Sequence, residues 1–309
     1  LLITIIMTFL TFSYSQQKIV QPFIPEILSQ LSNVRDIAIS PFGDEMFITL
    51  QSTQSEISAI LFLKKNNGQW SSPTVASFSG QYQDLEPFFS PNGLRLYFAS
   101  NRPLSEKIDT TKDFDIWYIE RKEQTADWSS PINIGSPINT QYNEFYPSVS
   151  KNNTMYFTSD NPTITKGKDD ILFSQWKDSM YTKPVSLGDS INSAGYEFNA
   201  YVSPDETFMI YTCYNRPDGY GSGDLYMSVK KNNTWSKAKN IGKTINSPQM
   251  DYCPFVDIQT KTLYFTSKRN TITQKFSSPQ TLKQLLSEIN KYENGFSRIY
   301  TVPLKNIID

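Results

Sequence analysis

Between residues 34 and 309 the chain runs five times through one series. An acidic residue opens an apolar strand, a turn of Ser-Pro type follows, and an aromatic strand comes next. After a variable loop there is a short apolar strand, then Trp-Ser-x-Pro and Ile-Gly-x-x-Ile-Asn. The second copy is the clearest. It reads Asp84-Leu85-Glu86-Pro87-Phe88-Phe89-Ser90-Pro91-Asn92-Gly93, then Leu96 to Arg102, Asp115 to Ile119, and Trp128-Ser129-Ser130-Pro131 to Gly135. The first copy is weaker, and the fifth ends without a Trp-Ser-x-Pro strand. Anchored on Ser40, Ser90, Ser150, Ser203 and Asp257, the copies are spaced by 50, 60, 53 and 54 residues.

A unit of about 50 residues holding four short strands is one blade of a β-propeller. Each such sheet has two apolar faces, and only face-to-face packing around a ring covers both. The expected fold is therefore all-β, a five-bladed propeller with blades near 34–82, 83–142, 143–196, 197–250 and 251–309. Six blades is the alternative if the first segment hides a degenerate copy. The last blade lacks an outer strand, and the stretch Ile19 to Leu28 leads straight into the first copy. It is expected to supply that strand and close the ring.

Ahead of it, Leu1 to Phe12 is an apolar run of about 12 residues ending in Ser13-Tyr14-Ser15, which matches an export signal rather than a membrane span of ~20 residues. Cleavage is placed after Ser15, leaving residues 16–309 as one domain outside the cytoplasm, periplasmic, extracellular or associated with the outer membrane. Monomeric behaviour is expected.

Composition removes several chemistries. The chain has no histidine, so Ser-His-Asp and Cys-His nucleophile systems and His-based metal sites are out. Lys+Arg 29 against Asp+Glu 30 leaves no positive excess for nucleic acid. No cofactor is expected. The two cysteines, Cys213 and Cys253, lie on adjacent blades, where they are either bonded or packed as thiols.

The repeat resembles the WD40-like propeller repeat of exported, TolB-type proteins of Bacteroidetes-like bacteria. The resemblance rests on Pro87 to Ser90-Pro91-Asn92-Gly93, Tyr97-Phe98 and Ser100-Asn101-Arg102. It implies a binding or scaffold role in the cell envelope, with a protein, peptide or glycan as partner.

Candidate site residues lie where inner strands begin, at the mouth of the channel: Asp84, Glu144, Glu197 and Asp251, with Asp36 and Glu86 at the neighbouring inward register. The ends of the second strands bring Arg102, Arg216 and Arg269 beside them, and Asp160-Asn161 in the third copy. Either each carboxylate pairs with its own blade's arginine, or the set forms a polar mouth that binds ligand. A carboxylate-dependent glycoside hydrolase or lyase is the enzymatic alternative.

The loops between second and third strands are long and uneven, as binding loops on rigid scaffolds often are. The one at 268–297 predicts a helix of about three turns, capped near Ser278-Pro279. Its stripe of Leu282, Leu285, Leu286 and Ile289 is expected to pack on the blade beneath, with a partner-binding ridge as the alternative. Asp218 to Asp224 reads as a Gly-rich turn before it reads as a Ca²⁺ loop. Trp70, Trp128 and Trp235 are expected to pack on neighbouring strands, and the sequons at Asn152 and Asn232 fall in hairpin turns.

Overall fold

The computed structural model describes residues 19–105 and 111–307, so the signal expected at 1–15 lies outside the described residues. Five sheets form the ring. From the axis outward, blade 1 is Val34–Ile39, Glu45–Gln51, Ser58–Asn66 and Thr74–Val75. Blade 2 is Asp84–Phe89, Arg95–Ser100, Asp115–Glu120 and Ile132–Asn133. Blade 3 is Glu144–Val149, Met155–Ser159, Asp170–Ser174 and Val185–Ser186. Blade 4 is Tyr196–Val202, Phe208–Tyr214, Gly223–Lys231 and Lys239–Asn240.

Blade 5 closes as the missing strand required. Asp251–Asp257, Thr262–Ser267 and Arg298–Pro303 come from the chain's end, and Gln21–Pro22 is the outer strand, paired Gln21 to Thr301 and Pro22 to Tyr300. The strand is shorter than expected, because Pro25–Leu28 turns into a single helical turn that buries Leu28. No helix among the described residues is long and apolar enough to cross a membrane.

Outer strands are only two residues long, and the Ile-Gly-x-x-Ile-Asn segment completes their work. Gly135, Gly188 and Gly242 sit at positive φ and turn the chain back toward the third strand. There the Asn139, Asn192 and Asn246 amides each accept from and donate to one backbone residue, Ile116, Ile171 and Leu225. A side-chain amide thus stands in for a strand residue.

The inner strands carry a second repeated device. Four residues before each anchor, Asp36, Glu86, Tyr146, Asn199 and Cys253 all lie in the left-handed region, with φ of 53°, 61°, 47°, 53° and 51°. The ladder to the second strand shifts register at each of these points. A non-glycine residue held there costs on the order of 1–3 kcal/mol, so its surroundings must impose it. They do so across blade boundaries. The Asp36 N–H donates to Thr266 Oγ1 at 3.1 Å, Glu86 N–H to Thr49 Oγ1 at 3.2 Å, and Asn199 N–H to Thr158 Oγ1 at 3.2 Å. Blade 2 has Ala99 where the others have threonine, and there the Tyr146 N–H donates to the Glu86 carboxylate at 2.8 Å instead.

Candidate functional site

The bulges decide which residues meet on the axis. Asp36, Glu86, Tyr146, Asn199 and Cys253 converge there, and Arg35 is drawn in among them. Arg35 donates to Asp36 at 2.9 Å, to Glu86 at 2.7 Å and to Cys253 Sγ at 3.4 Å. Asn199 donates to Glu86 at 3.1 Å and accepts from Cys253 Sγ at 3.3 Å, while the Tyr146 hydroxyl donates to the Pro254 carbonyl. Every member but Arg35 is buried, and Arg35 lies against the Tyr252 ring. Burial with Asp36 alongside pushes the Glu86 carboxyl up to about 7 against the pull of Arg35, and burial drives the Cys253 thiol well above its ordinary range.

Together these residues form a buried, mutually hydrogen-bonded plug. Asp36, Glu86 and Cys253 offer three metal-ligand atoms within 4.8 Å of one another. A guanidinium already bonds all three, so the donor set is that of a cation site satisfied by the protein's own arginine. The five hairpins leave a cavity of about 250 Å³, lined by Pro41, Phe88, Pro91, Tyr201, Pro204 and Phe255.

The carboxylates six before the anchors sit elsewhere. Asp84, Glu144, Glu197 and Asp251 are buried at the top edge of the ring, where each blade meets the connection from the preceding one. Asp84 accepts from Arg102 at 2.6 Å, Glu197 from Arg216 at 2.9 Å and Asp251 from Arg269 at 3.3 Å. The same guanidinium donates to the carbonyl of Phe78, Ile191 or Ile245 in the incoming connection, and it lies over an aromatic ring of its own blade. Hydroxyls of Ser79, Ser193 and Ser247 complete the cradles. These pairs lock blade to blade.

Glu144 departs from that pattern. It accepts from the Thr140 N–H at 3.0 Å, the Thr140 hydroxyl at 2.7 Å and Ser159 at 3.4 Å, and it has no ion-pair partner among the described residues. Burial, with Asp115 and Asp113 nearby, lifts its carboxyl to about 7. Asn161 stands where Arg102 and Arg269 stand in their blades, and its side chain folds back to accept from the Thr163 N–H and hydroxyl.

The remaining candidates have structural places. Cys213 and Cys253 are free, buried thiols, so the disulfide alternative is not realised. Trp235 is buried, and Trp128 packs near Phe89 with Arg121 over its ring at 4.1 Å. The Asp224 carboxylate closes the 218–224 turn on the Tyr220 and Gly221 N–H groups, and the Asp218 carboxylate accepts from the Tyr226 hydroxyl. Asn152 caps the hairpin of blade 3 through Ser150 and Thr154.

The top-face helix corrects the sequence reading. It spans Leu282–Ile289, shorter than expected, because the capping box forms at Thr281 and Gln284 rather than at Ser278. Its apolar stripe does not pack on the blade. Leu282, Leu285, Leu286 and Ile289 are 72%, 37%, 48% and 54% exposed, and no residue of the helix is buried. The insertion is held at its base instead, where Gly295 N–H donates to the Arg269 carbonyl and Thr271 N–H to that of Glu293. The amphipathic pattern identified the helix but carried no information about what lies beneath it.

No family model and no curated protein matches the sequence. Solved structures match through the fold. A glycoside hydrolase aligns with TM-score 0.54 at 10% identity over 87% of this chain and 86% of its own. The catalytic domain of a Coprinopsis cinerea GH62 α-L-arabinofuranosidase aligns with TM-score 0.52 at 9% identity over 88% and 91%. TolB from Acinetobacter baumannii aligns with TM-score 0.47 at 11% identity over 87% of this chain, which spans 54% of that one. At these identities what the chain shares with its neighbours is the propeller fold.

Proposed function

We propose that this chain is a non-enzymatic recognition module that acts outside the cytoplasm and binds a protein or peptide through its looped top face. The observation that carries the reading is the exposed ridge of Leu282, Leu285, Leu286 and Ile289, raised above a rigid ring. Monomeric soluble proteins rarely leave contiguous aliphatic surface in water, and such patches mark interaction sites. Aliphatic rather than aromatic side chains favour a polypeptide partner over a glycan, since sugar rings are held by stacking on aromatic faces. The surrounding chemistry agrees: three of the four edge carboxylates are neutralised by arginines, which suits a scaffold better than a catalyst.

A test is photo-crosslinking from position 286 of the mature chain in envelope extract. One discrete adduct is expected for the parent, lost when all four ridge residues become Gln. An adduct pattern indifferent to those substitutions would overturn the reading.

The glycoside hydrolase or lyase alternative has one observation in its favour, the Glu144 carboxyl raised to about 7 in a cavity, as a general acid requires. It needs a second free carboxylate roughly 5–9.5 Å away. The acids on the axis, Asp36 and Glu86, are both ion-paired with Arg35, so neither is a free carboxylate. Turnover of any glycoside that vanished in Glu144→Gln would establish the enzyme instead.

A further inference from the structure

Four blades share one cradle at the top edge, and three of them fill it with an arginine. In blades 2, 4 and 5 the guanidinium lies between a buried carboxylate, a backbone carbonyl of the incoming connection and an aromatic ring. Blade 3 keeps the carboxylate of Glu144, the hydroxyls of Thr140 and Ser159, and Phe157 at the ring position of Phe98, Tyr211 and Phe265. The sequence there has Asn161 in place of arginine, and Leu172 where the other blades place Trp117, Tyr226 and Tyr300. Both changes remove volume. The result is a cavity of about 380 Å³ lined by Ile138, Glu144, Phe157, Ser159, Asn161 and Leu172.

We propose that this blade 3 cavity binds a guanidinium group from outside the chain, carried by a small guanidino compound or by an arginine side chain of a partner. The specificity follows from geometry that the molecule displays three times over. A planar cation with several N–H donors satisfies the Glu144 carboxylate and the carbonyl of Ile138, which corresponds to Phe78, Ile191 and Ile245, while its face rests on Phe157. The volume is in the range of small-ligand pockets and exceeds that of a guanidinium, leaving room for the aliphatic stem. Glu144 is 1% exposed, so binding there neutralises a buried carboxylate that the fold leaves without a counter-charge among the described residues.

Several groups set the pH response. Burial, with Asp115 and Asp113 (bridged by Lys112) adding to it, raises the Glu144 carboxyl, and Lys183 at the cavity rim opposes a cation. With that carboxyl at about 7, binding strengthens as pH rises from 6 to 8, by about tenfold.

The site shares the top face with the leucine ridge but does not depend on it. Calorimetric titration of the mature protein at pH 8 with agmatine and with N-acetylarginine N-methylamide is the experiment, with N-acetylcitrulline N-methylamide as the neutral isostere. Saturable binding of at least one guanidino probe is expected, absent for the citrulline probe and weakened about tenfold or more by Glu144→Gln. Agmatine alone would point to a free small molecule, and the blocked arginine alone to a protein side chain. Asn161→Arg, which restores the residue of the other blades, is expected to abolish binding while keeping or raising the melting temperature. It decides the matter if Glu144→Gln does not fold. Equal affinity for the citrulline probe, binding undiminished in Asn161→Arg, or no binding by either guanidino probe would overturn the proposal. The ridge variant is expected to bind as the parent does, so loss of one activity leaves the other testable.

Discussion

Replacing Arg35 with methionine keeps the length and apolar stem of the side chain but removes the charge that holds the axis together. Arg35 is bonded to Asp36 at 2.9 Å and Glu86 at 2.7 Å, with carboxylates only 1% and 4% exposed. Taking one partner from a buried ion pair costs about 3–5 kcal/mol, because the remaining charge stays desolvated. The cost depends on pH. At pH 8 the Glu86 carboxyl is ionised and stays buried beside Asp36 without its counter-charge, and a loss of about 4 kcal/mol is expected. At pH 5 the Glu86 carboxyl, held at about 7, is already protonated, and the loss falls to about 2 kcal/mol, that of one charged hydrogen-bonded pair. With ~2–4 °C per kcal/mol for a large domain, the melting midpoint at pH 8 drops by about 10 °C. Scanning calorimetry at the two pH values measures both numbers. The triple variant Arg35→Met, Asp36→Asn, Glu86→Gln should recover much of the loss, since no charge then remains to be paired. A single variant that melts with its parent at both pH values, or that suffers more at pH 5 than at pH 8, would refute the account of the plug.

Other consequences are as direct. Glu86 and Glu144 are raised to about 7 and Asp169 to about 6, so the folded chain holds protons that the unfolded chain releases. Their contribution to stability is fully present below the ordinary carboxyl range and is lost as pH rises from there through about 7; urea midpoints that climbed between pH 5 and 7 would contradict it. Glu144→Gln should flatten the decline by on the order of 1–3 kcal/mol. Arg102→Ala leaves Asp84 buried without its counter-charge and is expected to cost about 3–5 kcal/mol, read from denaturant unfolding. Converting Leu282, Leu285, Leu286 and Ile289 to Gln should leave the melting temperature nearly unchanged, within about 0.5 kcal/mol per site, because none of those side chains is buried in the core. A large drop there would mean that the ridge is packed after all.

How much was legible beforehand follows from what repeats. The period of the strands and the missing outer strand of the fifth copy predicted five blades and an N-terminal closure, and Gln21–Pro22 pairs as that count required. The pairing of acids with arginines was one of two readings, and Asp160-Asn161 already marked blade 3 as different. That difference was the available signal for the Glu144 cavity, but its meaning needed the other three blades in space. Arg35, Tyr146, Asn199 and Cys253 were missed as axial residues because they share no chemistry. Their common property is a backbone angle, and side-chain type does not report it.

The chain's own order of residues determines the ring, since a sheet with two apolar faces has to be covered on both sides and equal units meet that need by closing on themselves. Which side chains reach the axis was decided only in three dimensions. A bulge inserts one residue into an alternation of period two and exchanges inward for outward, so Asp84, Glu144, Glu197 and Asp251 go into the seams between blades while Asp36 and Glu86 go to the centre. The helix followed the same division: its periodicity was written in the sequence, but whether its leucines faced a blade or water depended on where the loop's two ends were tied.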